Sequence, residues 1–425
     1  MSSSNPPLAL VNGRVFKATD LSVINKGVII IKGDRIHDIG TIGEVDIPED
    51  AEIIDLKGRT VLPGLIDAHL HITGFKTADI VKEPLITPLG VFFARAINDL
   101  KSLINAGFTT VCDAGSLIGL HLKYAVNEGT VIGPRIVAAG AVLSQTYGHG
   151  DEHYLPIEWV DIRSTKKITP FASLICDGVE ECRKAARYAL REGADFIKIM
   201  ATGGVMSEKD RPEYIQFTYD EIRAIVEEAE HAGKFIHAHA QGAEGIKNAI
   251  RAGVKVIAHA IFMDQEGFEL AKEKNVVVVP TLSISRGLVE KGGEVGVPEW
   301  ALKKAEEIYN IHVETIKEAY KNNVKLATGT DFFGGVFTHG ENALELELFV
   351  KLIGMNCKEA IISATKIASE AAGLNNIIGT LEKNKIADII VVDGDPLSNI
   401  STLRDNEKIV MVIKNGEILK NKLSQ

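Results

Sequence analysis

The stretch Val61-Leu62-Pro63-Gly64-Leu65-Ile66-Asp67-Ala68-His69-Leu70-His71 decides how this chain is read. An apolar run breaks at Pro63-Gly64. The alternation that follows puts Asp67, His69 and His71 on one face of an extended strand, with Ala68 and Leu70 on the other. Two imidazoles at i and i+2 near a strand end point the same way and can share a divalent ion, for which neutral imidazole is a good ligand. Two histidines that only hydrogen-bond their neighbours would give the same pattern, so further ligands must come from elsewhere in the chain.

Outward from this strand, the region from Val61 to about Gly373 alternates strand and helix. The expected strands are Val61–His71, Thr109–Asp113, Arg135–Ala139, Phe196–Met200, Phe235–His239, Val256–His259, Val276–Pro280 and Lys325–Thr330. Between them lie amphipathic helices. Thr218–His231 opens on a Thr218-x-x-Glu221 capping box and stops at Gly233, and Pro298–Lys321 starts on a proline. Eight strands separated by helices predict an α/β fold, a (β/α)8 TIM-like barrel. A doubly wound sheet is the competitor, but its Gly-rich turn should follow the first strand, whereas Pro63-Gly64 lies at the front of this one.

The two ends have a different texture. Leu8–Val11, Gly27–Lys32, Arg35–Ile39 and Ala51–Leu56 read as short strands, with a turn at Gly33-Asp34. Asp388–Val392, Lys408–Lys414 and Glu417–Leu419 repeat the pattern around a type I′ turn signal at Asn415-Gly416. Neither end is large enough to bury a core, so residues 1–60 and 374–425 are expected to pair as a small β-sandwich, with the barrel, 61–373, inserted between them.

Composition narrows the function. With 47 Lys plus Arg against 57 Asp plus Glu, the net charge of −10 disfavours nucleic acid or an anionic membrane as the main partner. Cys112, Cys176, Cys182 and Cys357 form no Cys-x-x-Cys pair, which suits a reducing compartment and disfavours thiolate metal sites. The N-terminal residues lack a signal-type apolar core and no run is long enough to span a bilayer; a cytoplasmic protein is expected.

In a barrel the chemistry sits at the C-terminal ends of the strands. Here those ends carry His69 and His71, Lys198, His237 and His239, His259, and Asp331 in Thr328-Gly329-Thr330-Asp331. Each alone has a plain alternative: a helix cap for Asp331, a satisfied core histidine for His259, a snorkelling lysine for Lys198. Their joint placement is what those alternatives leave unexplained. Face alone does not choose between His237 and His239. His121, His231 and His312 fall in helical stretches and are expected on the surface, and His37 belongs with the terminal strands.

These motifs resemble the amidohydrolase superfamily, in its branch with two metals and a carbamylated lysine. The resemblance runs from Pro63-Gly64-Leu65-Ile66-Asp67-Ala68-His69-Leu70-His71 through the Lys198 strand and Ala201-Thr202-Gly203-Gly204 to His239, His259, Asp331 and the tail Ala387–Val392. It implies that His69, His71 and Asp331 hold one divalent ion, His239 and His259 hold a second, and Lys198, carbamylated by carbon dioxide, bridges them. Zinc is the first choice of metal. Asp331 would serve as general base and then general acid, with His259 helping to polarise the carbonyl. Two ions about 3.5–4 Å apart can bind one water jointly and lower its pKa. Asp67 sits deeper on the same face and is expected to support the ligands or merely to fill the core. The resemblance also implies a homo-oligomer.

Within the superfamily the texture is most similar to metal-dependent Xaa-Pro and related dipeptidases, ochratoxin-type amidases and imidazolonepropionase-like proteins, which implies hydrolysis of dipeptides or N-acyl amino acids. The long Leu143–Thr169 segment offers Tyr147 and His149 for a substrate carboxylate or carbonyl, and the Gly203–Pro212 loop, with Met206 and Arg211, could close over the site. Gln241 follows His239-Ala240 where dipeptidase-like members commonly have Tyr, which puts ordinary dipeptide specificity in doubt. A lactone, carbamate or organophosphate ester hydrolase would use the same centre. A mononuclear deaminase would not require Lys198, and a scaffold that lost its metals would not require any of these residues.

Overall fold

The structure is a computed structural model that describes residues 6–164 and 169–423. Among these residues both chain ends join in one mixed sheet. Its strands run in the order Glu417–Asn421, Ile409–Lys414, Ile389–Val392, Thr60–Pro63, Leu8–Val15, Ile24–Lys32 and Arg35–Thr41, with Glu52–Asp55 added beside Leu8–Val15. Hydrogen bonding links all eight strands into one sheet. Strand alternation still sorts its side chains, with Leu8, Leu10, Ile29 and Ile31 in one cluster and Ala9, Val11, Val28 and Ile30 in another. At the Asn415-Gly416 turn both residues take positive φ, 52° and 75°, as a type I′ hairpin requires.

The expected strand Val61–His71 is two strands. Thr60–Pro63 pairs antiparallel with Ile389–Val392, and after Gly64 the segment Leu65–Leu70 pairs in parallel with Phe108–Asp113. Pro63 has no N–H to extend the first ladder, so the chain changes sheets there. The opening motif therefore ties the terminal sheet directly to the site.

Leu65–Leu70, Phe108–Asp113 and Arg135–Ala138 form a three-stranded parallel sheet. A second parallel sheet has seven strands in the order Ser173–Ile175, Val142–Ser144, Ile197–Met200, Ile236–Ala240, Val256–His259, Val277–Val279 and Lys325–Leu326. Backbone hydrogen bonds connect both margins of the three-stranded sheet to the other one, from Asp195 N–H to Ala138 O at 2.8 Å and from Ala68 N–H to Thr328 O at 2.9 Å. Val142–Ser144 and Ser173–Ile175 were not expected; at three residues each they are too short to show a period. The last expected strand, Lys325–Thr330, keeps ladder pairing only through Leu326. Beyond it the backbone closes on the first strand at Gly329, where a Cβ would lie 2.8 Å from His69 N and 2.3 Å from Val279 Cγ1.

Helices lie between the strands as the pattern predicts. Tyr219–His231 has the full Thr218/Glu221 capping box, and Glu299–Lys321 begins directly after Pro298. This second helix corrects one expectation. His312 is fully buried, because it falls within the inward stripe Ala301, Ala305, Ile308, His312, Ile316 and Ala319. His121, His231 and His37 are exposed. No helix among the described residues is long and apolar enough to cross a membrane.

Candidate active site

The site is assembled where the parallel strands end. Asp67, wholly buried, joins the first strand to the segment carrying Asp331. Its carboxylate accepts from His69 N–H at 3.0 Å, Thr330 Oγ1 at 2.7 Å, Thr330 N–H at 3.2 Å and Asn342 Nδ2 at 2.7 Å. Burial pushes it up to about 6 despite these bonds. The same two segments meet again where Asp331 N–H donates to His69 O at 2.6 Å. Asp331 takes φ of 57°, an uncommon conformation for a residue with a Cβ, held by this double attachment.

Through that geometry Oδ1 of Asp331 lies 3.3 Å from His69 Nε2 and 3.1 Å from His71 Nε2. The ligand atoms of His69, His71 and Asp331 all fall within 4.8 Å of one another, a spacing at which they could hold a metal ion. Lys198, 1% exposed, brings Nζ to 3.4 Å from His69 Nε2. Burial draws its ammonium down to about 7, with Asp331 opposing the shift.

His239 and His259 complete the cluster, their ring centroids 4.6 Å apart and that of His259 5.3 Å from His69. Nε2 of His239 donates to Gly203 O at 3.1 Å, which leaves Nδ1 with the lone pair. Nδ1 of His259 meets Thr281 Oγ1 at 2.7 Å, and His312 Nε2–H donates to the His259 carbonyl at 2.9 Å. Both His259 and Thr281 take positive φ, 72° and 58°. Burial, reinforced by neighbouring cationic groups, holds His239 and His259 well below the ordinary imidazole range, and His69 is brought down to about 3. These imidazoles are therefore neutral at pH 7, the form that binds metal. His237 lies beside His69, its Nε2 3.0 Å from Nδ1. It does not line the cavity that His239 lines.

That cavity, about 550 Å³, is of a size that encloses a small-molecule ligand. Besides the cluster its walls include Phe171, Trp300, Met206, Ile284 and Leu288. Of the residues expected to bind substrate, His149 and Gln241 are in this wall. The His149 ring stacks on His239 at 4.2 Å, its Nδ1 is 2.7 Å from Ser207 Oγ, and burial lowers its pKa against the pull of Asp210. Gly204 makes room for it, since a Cβ there would lie 2.2 Å from His149 Cε1. Gln241, 5% exposed, has no partner for Oε1 among the described residues.

Tyr147 and Arg211 correct the expectation: neither lines the cavity. Tyr147 is 48% exposed, with its hydroxyl donating to Lys209 O at 2.6 Å, and Arg211 faces Glu213 and Glu307 on the surface. The Gly203–Pro212 loop is pinned from elsewhere. Lys304 Nζ donates to the carbonyls of Gly204, Ser207 and Asp210 at 3.3, 2.5 and 2.6 Å. Sequence reasoning missed this lysine, together with Thr281, His312, Phe171 and Trp300, all of which act on the site from connecting segments or from the long Glu299–Lys321 helix. For Lys304 a signal existed: it follows Trp300 by one helical turn on a helix that borders the site.

Parallel strands ending in a buried cluster of histidines, one carboxylate and one lysine, beneath a ligand-sized cavity, fit the class of a hydrolase whose donors could hold a metal ion. Residues 60–419 match the amidohydrolase family, and the chain belongs to it. It is 35% identical to the ochratoxinase of Aspergillus niger over 375 residues, 85% of this chain and 75% of that protein. The crystal structure of the A. niger ochratoxinase superposes with a TM-score of 0.90, covering 98% of this chain and 96% of that one. A prolidase crystallised with N-methylphosphonate-L-proline is 33% identical, with a TM-score of 0.89, over 98% of this chain and all of the other. The imidazolonepropionase of Rhizobium rhizogenes is 26% identical over 399 residues, 90% of each chain.

Proposed function

We propose that this enzyme hydrolyses amide bonds of N-acyl amino acids or dipeptide-like substrates at a centre for two divalent ions, with zinc favoured by the nitrogen and oxygen donors. The observation that carries this reading is the convergence of His69, His71, Asp331 and Lys198, with Nζ 3.4 Å and Oδ1 3.3 Å from the same His69 Nε2. In this reading the two parallel sheets, linked at both margins of the three-stranded one, form a closed (β/α)8 barrel with the cluster at its C-terminal mouth.

The donor chemistry suits the ions. His69, His71 and Asp331 would hold one, and His239 Nδ1 and His259 Nε2 the other. A free ammonium would oppose dications, but a lysine lowered to about 7 exposes a neutral amine. That amine could add carbon dioxide and release one proton, and the anionic carbamate so formed would add oxygen donors to those of the histidines and Asp331. The ions, when bound, supply Lewis acidity toward the carbonyl and make water acidic enough to ionise near neutral pH.

The remaining work belongs to the chain. Burial opposes ionisation of Asp331, but its hydrogen bonds to His69 and His71 outweigh it and keep the carboxylate charged. It takes the proton of the attacking water and returns it to the leaving amine, so one group serves as base and then acid. His149 Nε2, which has no hydrogen-bond partner among the described residues, meets the carbonyl or carboxylate of the substrate. Phe171, Trp300, Met206, Ile284 and Leu288 exclude water and accept a bulky apolar group. The names of the relatives, ochratoxinase and prolidase, favour an amide over an ester. The test is a library of N-acyl amino acids and dipeptides offered to zinc-loaded enzyme beside a matched set of lactones, carbamates and phosphotriesters. Hydrolysis confined to the second set would overturn the amide reading.

A further inference from the structure

One acidic group in the cavity wall is left over. Glu152 lines the cavity, and among the described residues its carboxyl has no hydrogen-bond or ion-pair partner. The other acidic residues of that wall have partners: Asp331 faces His69 and His71, Asp79 accepts from Lys82 N–H at 2.8 Å, Asp151 accepts from Tyr147 N–H at 2.8 Å, and Glu208 interacts with the hydroxyl of Tyr154. Burial, with the like charge of Asp151, pushes Glu152 up to about 7, which expresses the missing counter-charge. Among the described residues the lysines and arginines of the wall are Lys198, within the ligand cluster, and the exposed Lys82; neither reaches Glu152 within ion-pair distance.

A second group points to a ligand independently. Gln241 is more than nine-tenths buried in the same wall, and its carboxamide oxygen has no partner among the described residues. Unpaired polar groups in a largely apolar cavity are costly unless a bound molecule meets them. Phe171, Trp300 and Tyr154 in the same wall offer ring faces and edges to an alkyl stem or a cation.

We infer that the amide substrate carries a cationic group, an ammonium or a guanidinium, and that Glu152 is the residue that selects it. This rests on the amide-hydrolase reading. The cation supplies what the described residues do not, a donor and a positive charge for this carboxylate, and a substrate with a second carboxylate in that position is repelled by it.

The test uses the zinc-loaded enzyme and pairs of amides matched in shape: X-Lys against X-norleucine, X-Arg against X-citrulline, and the reversed dipeptides, with X held constant. The expected result is a kcat/KM about tenfold or more in favour of the charged member in at least one series. Glu152→Gln brings that ratio close to one, while Glu152→Asp keeps the charge and retains a preference. Metal content and unfolding midpoint of each variant report whether it is folded. A wild type that prefers the neutral member, or a ratio unmoved by Glu152→Gln in folded protein, overturns the inference alone. Absence of hydrolysis in every amide series overturns the amide reading and the inference with it.

Discussion

Oδ1 of Asp331 lies 3.1 Å from Nε2 of His71 and 3.3 Å from Nε2 of His69, so a single carboxylate oxygen faces both imidazoles of the opening motif. Replacing Asp331 by Asn keeps the shape and removes the proposed base. The variant is expected to lose about 100-fold to 10,000-fold in kcat, the range of a positioned general acid or base, with a much smaller change in KM. Steady-state kinetics on any hydrolysed amide decides it; a kcat within a few-fold of wild type would remove Asp331 from the proton path.

Asp67 makes four hydrogen bonds and none of them reaches the cavity. Its replacement by Ala leaves the His69 N–H, Thr330 and Asn342 unpaired in the interior, at about 1–3 kcal/mol for each stranded group. Urea unfolding of Asp67→Ala should therefore show a loss of several kcal/mol. A loss under about 1 kcal/mol would mean that the two segments are held by other contacts.

His312 gives a pH-dependent signature. Burial brings it down to about 4, offset in part by its bonds to backbone carbonyls. Below an unfolded value of about 6.5 the unfolded chain binds a proton that the folded chain refuses. The stability it contributes is present above pH 6.5 and is lost as pH falls toward 4, at about 1.4 kcal/mol per pH unit for this one group. His312→Gln does not titrate, so the gap between wild type and variant, measured on metal-free protein, should narrow steadily from pH 6.5 to 4. A constant gap would show that His312 is not buried neutral.

Thr281 Oγ1 meets His259 Nδ1 at 2.7 Å and so orients the other ring nitrogen. Thr281→Val keeps the shape and removes that partner. The expected effect is a fall in affinity for the second ion of about 10-fold to 100-fold, read by chelator competition, with the first ion retained. Equal loss of both ions would point to a general structural defect.

The strand-end residues were legible because period-2 alternation aims their side chains at the same end of adjacent parallel strands. His69, His71, Lys198, His239, His259 and Asp331 come together for that reason. The long segment between the Arg135–Ala138 and Ile197–Met200 strands was less legible. It contributes two three-residue strands too short to show a period, and its turn faces His149 inward while Tyr147 stays on the surface, a choice made by tertiary contacts with Ser207 and Lys209. His312 was legible and misread: its place in the buried stripe of its helix is written in the spacing, and a polar side chain in that stripe needs the carbonyl partner that His259 provides.

The central claim is that Lys198 is a ligand and not a structural lysine. The most direct measurement is metal content per chain, by elemental analysis, on wild type and Lys198→Ala grown in parallel and equilibrated with zinc and bicarbonate. The account predicts close to two ions per chain in the wild type, and loss of bridged metal and of activity in a variant that remains folded. A wild type that binds one ion or none, or a folded Lys198→Ala that keeps both metal and activity, would contradict it.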